Sequence, residues 1–339
     1  MPRMPAVKRF VSNTGVRVYR IPCEVLPNLT GRVYLLLGAG PPTLVDTGSG
    51  RGDSTRQVLD GLKTVRTEFG EPVRLRDVQR ILITHAHIDH VGGLPQLAEQ
   101  TGGEVAVHQF DQRVIAAYDE RAVVTNRNMH CFLARAGLPV EERLPLLAAF
   151  GYARKRLPSV PVDFTLDDGQ QLDGLRLIHT PGHSPGHVCI AAGDLLLAGD
   201  HILAQTISQQ WPESTAAFTG LGHYLDSLEK VRQAGDFSVV LGGHEPPVRN
   251  VAERIDEIRT THLRRLDRLL DVLQKAPHPL SIREISDQVY SRQKGFYALL
   301  ALTDVGSRVE YLDQRGRLAI ANLDEVEGED NPVYRYRPV

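Results

Sequence analysis

Thr84-His85-Ala86-His87-Ile88-Asp89-His90 follows the apolar run Arg80-Ile81-Leu82-Ile83 and is closed by Val91-Gly92-Gly93. A short apolar run of this kind reads as a buried strand. Residues two apart on an extended segment point the same way, so His85 and His87 can share one metal ion. Asp89 and His90 fall where a helix begins, with Gly92 and Gly93 keeping bulk away, so the turn can aim a second pair of ligands at a neighbouring ion. A lone pair of histidines would as readily be a surface or capping cluster. His-x-His-x-Asp-His behind an apolar strand is far harder to dismiss that way.

Three further candidates lie downstream, each beside glycine: His183, Asp200 after Leu195-Leu196-Leu197, and His244 after Val239-Val240-Leu241. Together with the opening cluster they read as one dinuclear site. Imidazole and carboxylate without thiolate suit two divalent ions, Zn²⁺ first and Fe or Mn as alternatives, with coordination positions left for water.

Working outward, residues 16–25, 32–37 and 42–45 read as antiparallel strands divided by glycines and the Pro41-Pro42 pair. A helix is expected over 53–69, a strand over 80–84, a helix over 91–100 and a strand over 105–107, an alternation that argues for an α/β layered domain. Residues 111–160 lack strand signals and suit a helical insertion. Strands at 175–178, 188–191, 195–198 and 238–241 with a helix at 224–233 repeat the style, and the amphipathic helix 251–275 closes the domain. Pro277-His278-Pro279 then breaks the chain, and the capping box Ser281-Ile282-Arg283-Glu284 starts a helix through about Tyr290. A helix over 296–313 and two strands, 317–321 and 333–337, around an acidic turn make the tail of winged-helix type. The expected domains are therefore 1–275 and 276–339.

At 339 residues and a net charge of −2, the composition is that of an ordinary globular protein rather than an overall basic nucleic-acid binder. Cys23, Cys131 and Cys189 are widely spaced and odd in number, which disfavours a disulfide framework and fits a reducing cytoplasm. Residues 1–10 lack an apolar signal core, and no stretch approaches the 18 or so apolar residues of a membrane span. A cytoplasmic location with no membrane partner is expected.

The cluster resembles the metal motif of the metallo-β-lactamase fold superfamily, and the resemblance runs through most of residues 15–250. Its other elements stand in order: Asp46-Thr47-Gly48, Thr180-Pro181-Gly182-His183-Ser184-Pro185-Gly186-His187, Gly199-Asp200 and Gly243-His244. The resemblance implies a four-layer αββα sandwich. It also implies that His85, His87 and His183 hold the first ion, that Asp89, His90 and His244 hold the second, and that Asp200 bridges them. This set is more similar to the glyoxalase II, lactonase and ribonuclease Z branches than to the true β-lactamases. Histidine at position 87, where the diiron flavoprotein branch usually has an acid, favours hydrolysis over redox chemistry. With its winged-helix-like tail, the layout resembles β-lactamase-like proteins of the β-lactamase-like protein 2 type.

Water shared by two divalent ions is deprotonated near neutral pH, and the resulting hydroxide can attack a carbonyl without a serine or cysteine nucleophile. Asp89 has the position of the acid that accepts and passes on a proton in this superfamily. Asp46 reads as an acceptor that orients a ligand imidazole, against the simpler reading of an aspartate closing its turn. His187, His201 and Tyr224 are candidates for the substrate or for support behind the ligands, though each could equally be a packed polar residue. His108, His130, His179, His223, His262 and His278 lack partners in sequence and read as structural or solvated. Trp211 lies in a loop that could line the mouth.

Three functions fit. The first is hydrolysis of a small acyl substrate, a thioester or lactone. The second is phosphodiester cleavage, which calls for phosphate-clamping cations such as Arg127 or Arg135. The third is a metal- or ligand-sensing regulator that places its tail on DNA. From residue 251 onward 14 Lys and Arg face 15 Asp and Glu, and the last helix offers Arg308 as its one basic residue. Nucleic acid is therefore the less favoured partner, and packing or homodimerisation is the plainer role of the tail.

Overall fold

The computed structural model describes residues 5–153, 157–291 and 293–339. The start of the amino-terminal segment and residues 154–156 of the expected insertion therefore lie outside the described residues. Contacts gather the chain into two compact units, the first made of 1–119, 156–208 and 227–255, the second of 120–155, 209–226 and 256–339. The expected boundary near 276 falls inside the second.

The first unit is built on two sheets. One holds β1 (Lys8–Val11), β2 (Arg17–Leu26), β3 (Leu29–Leu37), β4 (Thr43–Val45), β5 (Arg80–Leu82), β6 (Glu104–Val107) and β7 (Phe164–Thr165), in that spatial order. The other holds β8 (Gln171–Leu172), β9 (Leu175–His179), β10 (Val188–Ala192), β11 (Leu195–Gly199) and β12 (Val239–Gly242), in reverse order. The period-two alternation of β2 explains the layering. Tyr19, Ile21, Cys23 and Val25 face one way, into a core shared with Val58 and Leu62 of helix α1 (Ser54–Glu68). Val16 and Val18 face the other way, into a core shared with Leu177, Ile190, Leu197 and Leu241 of the second sheet. The result is the sandwich that the resemblance implies.

The expected helix 91–100 is two helices, α2 (Ile88–Val91) and α3 (Leu94–Thr101), parted at Gly92-Gly93. The Asp46–Ser49 loop causes the break. Its Thr47 N–H donates to His90 O at 2.8 Å and it accepts from the Gly93 N–H at Gly48 O, 3.1 Å. A Cβ on Gly92 would stand 1.9 Å from Ser49 O, so this close approach needs glycine.

The insertion is helical: α4 (Gln109–Ala116), α5 (Tyr118–Arg135) and α6 (Val140–Ala153). They are followed by α7 (Leu221–Ala234) and α8 (Val251–Lys275). In the second unit Met129, Phe132, Leu133, Leu146 and Phe150 share one core with Leu266, Leu269 and Leu273 of α8 and with the tail. The tail comprises α9 (Ile282–Val289), α10 (Phe296–Asp313), β13 (Leu318–Ile320), α11 (Leu323–Gly328) and β14 (Tyr336–Pro338). The expected capping box is present, with Ser281 Oγ accepting from the Glu284 N–H. The expected acidic turn between the two strands is corrected: it holds α11, whose first turn carries Asp324 and Glu325 where a helix favours acids. No described helix is long and apolar enough to cross a membrane.

Candidate metal centre

Strand ends deliver the site. Strands β4, β5 and β6 run parallel, so Asp46, the 84–90 turn and His108 leave the first sheet at one end, where an open α/β sheet places its chemistry. The second sheet contributes the β9–β10 loop with His183 and the exits of the parallel pair β11–β12 with Asp200 and His244. The Val188 N–H donates to Thr84 O at 2.8 Å, and Tyr34 donates to Gly242 O at 2.6 Å, so the two sheets are pinned beside the site.

All seven sequence candidates converge into two groups. His85, His87 and His183 bring ligating atoms within 4.8 Å of one another, and so do Asp89, His90, Asp200 and His244. Asp200 reaches both groups, with Oδ2 3.8 Å from His183 Nε2 and 3.5 Å from His244 Nε2, and Oδ1 3.4 Å from His90 Nε2. His85 Nε2 lies 3.0 Å from His87 Nδ1, and His244 Nε2 lies 3.2 Å from Asp89 Oδ2. Ligand atoms about 2.0–2.1 Å from a tetrahedral Zn²⁺ stand roughly 3.3 Å apart, so these are separations that an ion would span. The buried atoms His90 Nε2 and Asp200 Oδ1 take no hydrogen bond, a cost that a shared cation removes. The donor set therefore fits two divalent ions.

The imidazoles are held from behind. His90 Nδ1 donates to Asp46 Oδ2 at 2.7 Å, and the same carboxylate accepts from the Thr84 N–H at 2.8 Å and from Thr84 Oγ1. Thr84 Oγ1 in turn lies 3.1 Å from His85 Nδ1. Asp46 adopts φ +61°, a left-handed conformation uncommon outside glycine, asparagine and aspartate, and this dense set of hydrogen bonds fixes it there. His183 Nδ1 is hydrogen-bonded to Ser208 Oγ at 2.9 Å, and His244 Nδ1 donates to Thr30 O at 3.1 Å. Such partners fix the ring orientation and the tautomer that leaves the other nitrogen for metal.

The electrostatics follow from crowding. Burial, then neighbouring His90, His87 and His183, hold the His85 ring well below its ordinary range, so it is neutral, the form that ligates. Burial opposes protonation of His244 as well, yet Asp200 and Asp89 prevail and raise it to about 10. Burial would raise the Asp200 carboxyl, but His244 and His90 hold it well below the carboxylate range. Two carboxylates and five imidazoles so close together need positive charge among them, whether protons or metal ions.

The remaining candidates separate. His187 is fully buried, and its Nε2 accepts from the Asp200 N–H at 3.2 Å while Nδ1 faces Thr180 Oγ1 at 2.8 Å. His201 is fully buried too, and burial pushes it down to about 3. Tyr224 belongs to the second unit, fully buried and edge-on to His262 at 5.5 Å. Trp211 is half-buried and packs against the second unit's core, its ring 5.7 Å from the Phe150 ring. Arg135 lies over the Tyr334 ring at 5.7 Å and Arg127 is exposed, both in the second unit. Thr84, Ser208 and Asp111 carry interactions that residue type and spacing did not announce.

A sequence profile of the metallo-beta-lactamase superfamily matches residues 27–271. A Drosophila melanogaster protein named "Beta-lactamase-like protein 2 homolog" is 23% identical over 340 residues, covering 100% of this chain and 99% of that protein. The human "Acyl-coenzyme A thioesterase MBLAC2" is 25% identical over 222 residues, covering 62% of this chain and 72% of that protein. The crystal structure of a metallo-beta-lactamase family protein from Thermus thermophilus superposes with a TM-score of 0.73 at 27% identity, covering 95% of this chain and 98% of that one.

Proposed function

The chain belongs to the metallo-beta-lactamase superfamily and is a metal-dependent hydrolase, and from that premise we propose that it cleaves a small acyl substrate, a thioester or lactone, at a pair of divalent ions, Zn²⁺ foremost. The observation that carries this reading is Asp200 standing between two groups of ligating atoms. Ions bound there would supply a water acidified to near neutral pH and polarise the bond under attack. His85, His87 and His183 would hold one ion and Asp89, His90 and His244 the other, with Asp200 shared. Asp46, Thr84, Ser208 and His187 keep those ligands and the Asp200 backbone in place. Burial works against ionisation of Asp89, but His90 and His244 outweigh it and keep the carboxyl below its usual range. It therefore stands ionised, the form in which a carboxylate ligates metal or could take a proton, and it is partly exposed.

The thioester is supported by the name of the human relative. A DNA-binding tail finds no support in α10, because Arg308 and nine other residues of that helix are buried. We read the winged-helix-like tail as a packing or dimerisation element.

The test assays the purified protein on an acyl-coenzyme A thioester, a lactone, single-stranded RNA and DNA, before and after chelation and Zn²⁺ restoration. Metal-dependent turnover of the thioester or lactone is expected. Cleavage of a polynucleotide with no acyl hydrolysis would replace this reading with the phosphodiesterase.

A further inference from the structure

We propose that Asp111 is a positioning residue of the metal centre, a buried carboxylate that ties the 85–87 ligand turn to the 180–187 ligand loop and so sets where His183 stands relative to His85 and His87. The inference rests on reading the site as a metal centre.

Asp111 is 2% exposed and belongs to neither ligand group. Its Oδ2 accepts from the Ala86 N–H at 2.9 Å, and its Oδ1 accepts from the Gly186 N–H at 3.1 Å. Ala86 lies between two ligands of the first group, and Gly186 lies three residues after the third. One carboxylate therefore grips the main chain on both sides of that group. A Cβ on Gly186 would stand 2.6 Å from Asp111 Cγ, so the loop approaches more closely than any other residue there would permit.

The strand-to-helix junction 107–111 supports the same placement. Asp111 sits in the first turn of α4, where unpaired N–H groups and the helix dipole favour an anion. Three residues earlier the His108 ring stacks on His179 at 3.8 Å and 9°, and His179 Nε2 is 2.8 Å from Pro185 O. The start of α4 thus holds the ligand loop at two points, by a ring stack and by a carboxylate.

The chemistry asks for a carboxylate. An asparagine of the same shape has one acceptor oxygen and an NH₂ group, so it satisfies one amide and sets a donor against the other. Alanine takes the acceptor from the part-buried Ala86 N–H and from the buried Gly186 N–H. Support groups behind metal ligands typically affect affinity by about 10–100-fold.

The experiment uses the full chain with Asp111→Asn, Asp111→Ala and Gly186→Ala, the last displacing the carboxylate from the opposite side. Competition with a chromogenic chelator gives stepwise Zn²⁺ affinities, Co²⁺ absorption reports the first ligand set, circular dichroism checks folding, and turnover is split into kcat and KM. Expected is a loss of about 10–100-fold in affinity at the His85–His87–His183 group, with the other group changed less than about threefold. An altered Co²⁺ spectrum and a lower kcat at similar KM should accompany it. A folded variant of any of the three with wild-type affinities and spectrum would overturn the proposal, since a merely structural role would move thermal stability alone. A wild type that takes up no ion would instead contradict the metal-centre reading beneath it.

Discussion

Asp46 is the residue on which the centre's geometry most depends, although it faces neither ion group directly. One of its oxygens accepts from His90 Nδ1 and the carboxylate also accepts from Thr84, whose hydroxyl meets His85, so a single group orients one imidazole in each set. Asp46→Asn should therefore weaken metal binding about 10–100-fold, read by chelator competition, and an unchanged affinity would show that Asp46 merely closes its turn. A second residue-scale prediction concerns His262. Burial and then Arg308 push this fully buried ring down to about 3, whereas an unfolded histidine titrates near 6.5. Below about pH 6.5 the unfolded chain takes a proton that the fold refuses, so stability falls as pH falls toward the folded value, by at most roughly 1.4 kcal/mol per pH unit. Urea unfolding at pH 7 and 5 should show His262→Gln losing about 2 kcal/mol less than the parent over that interval; equal losses would refute the assignment. The ligands were legible because histidine and aspartate beside glycine at strand ends announce their chemistry. Asp111 and Ser208 were not, because residues that bind main-chain amides or a distant ring leave no spacing to read.

Among elements, the joint between α2 and α3 is the most demanding. It turns His90 inward while the 46–49 loop lies against it, and Gly92 has backbone rather than a flexible side chain as its neighbour. Gly92→Ala must move that loop, and should lower unfolding free energy by about 1–3 kcal/mol or more, with metal affinity falling as Asp46 shifts. A variant with unaltered urea midpoint and affinity would show that the loop yields without cost. The glycine pair was visible in sequence as relief from bulk, yet the split of the helix was not, since it is imposed by a loop forty residues earlier. Strands β2 to β6 were readable from alternation and apolar runs. The pairs β7 and β8 were not, because two residues carry no period. The acidic segment read as a turn is α11, where Asp324 and Glu325 answer a helix start rather than a tight bend.

At the scale of the whole molecule, the sandwich was inferable from the order of motifs along the chain, each falling at the end of a strand. The grouping of 120–155 with residues beyond 256 was not, because helices packed through scattered apolar residues give no signal of which distant partner they choose. Ligands that bind the folded state stabilise it, by about 2.7 kcal/mol at a hundredfold excess over Kd, so Zn²⁺ should raise the thermal midpoint of chelated protein. The most direct measurement counts metal and turnover in the same samples: wild type and Asp200→Ala, each stripped with chelator and titrated with Zn²⁺. Expected are two ions per wild-type chain, activity that returns with the ions, and an Asp200→Ala chain that folds but has lost tight binding and turnover together. Full activity in stripped protein, or an Asp200→Ala variant that binds two ions and turns over as the wild type does, would contradict a shared dinuclear centre.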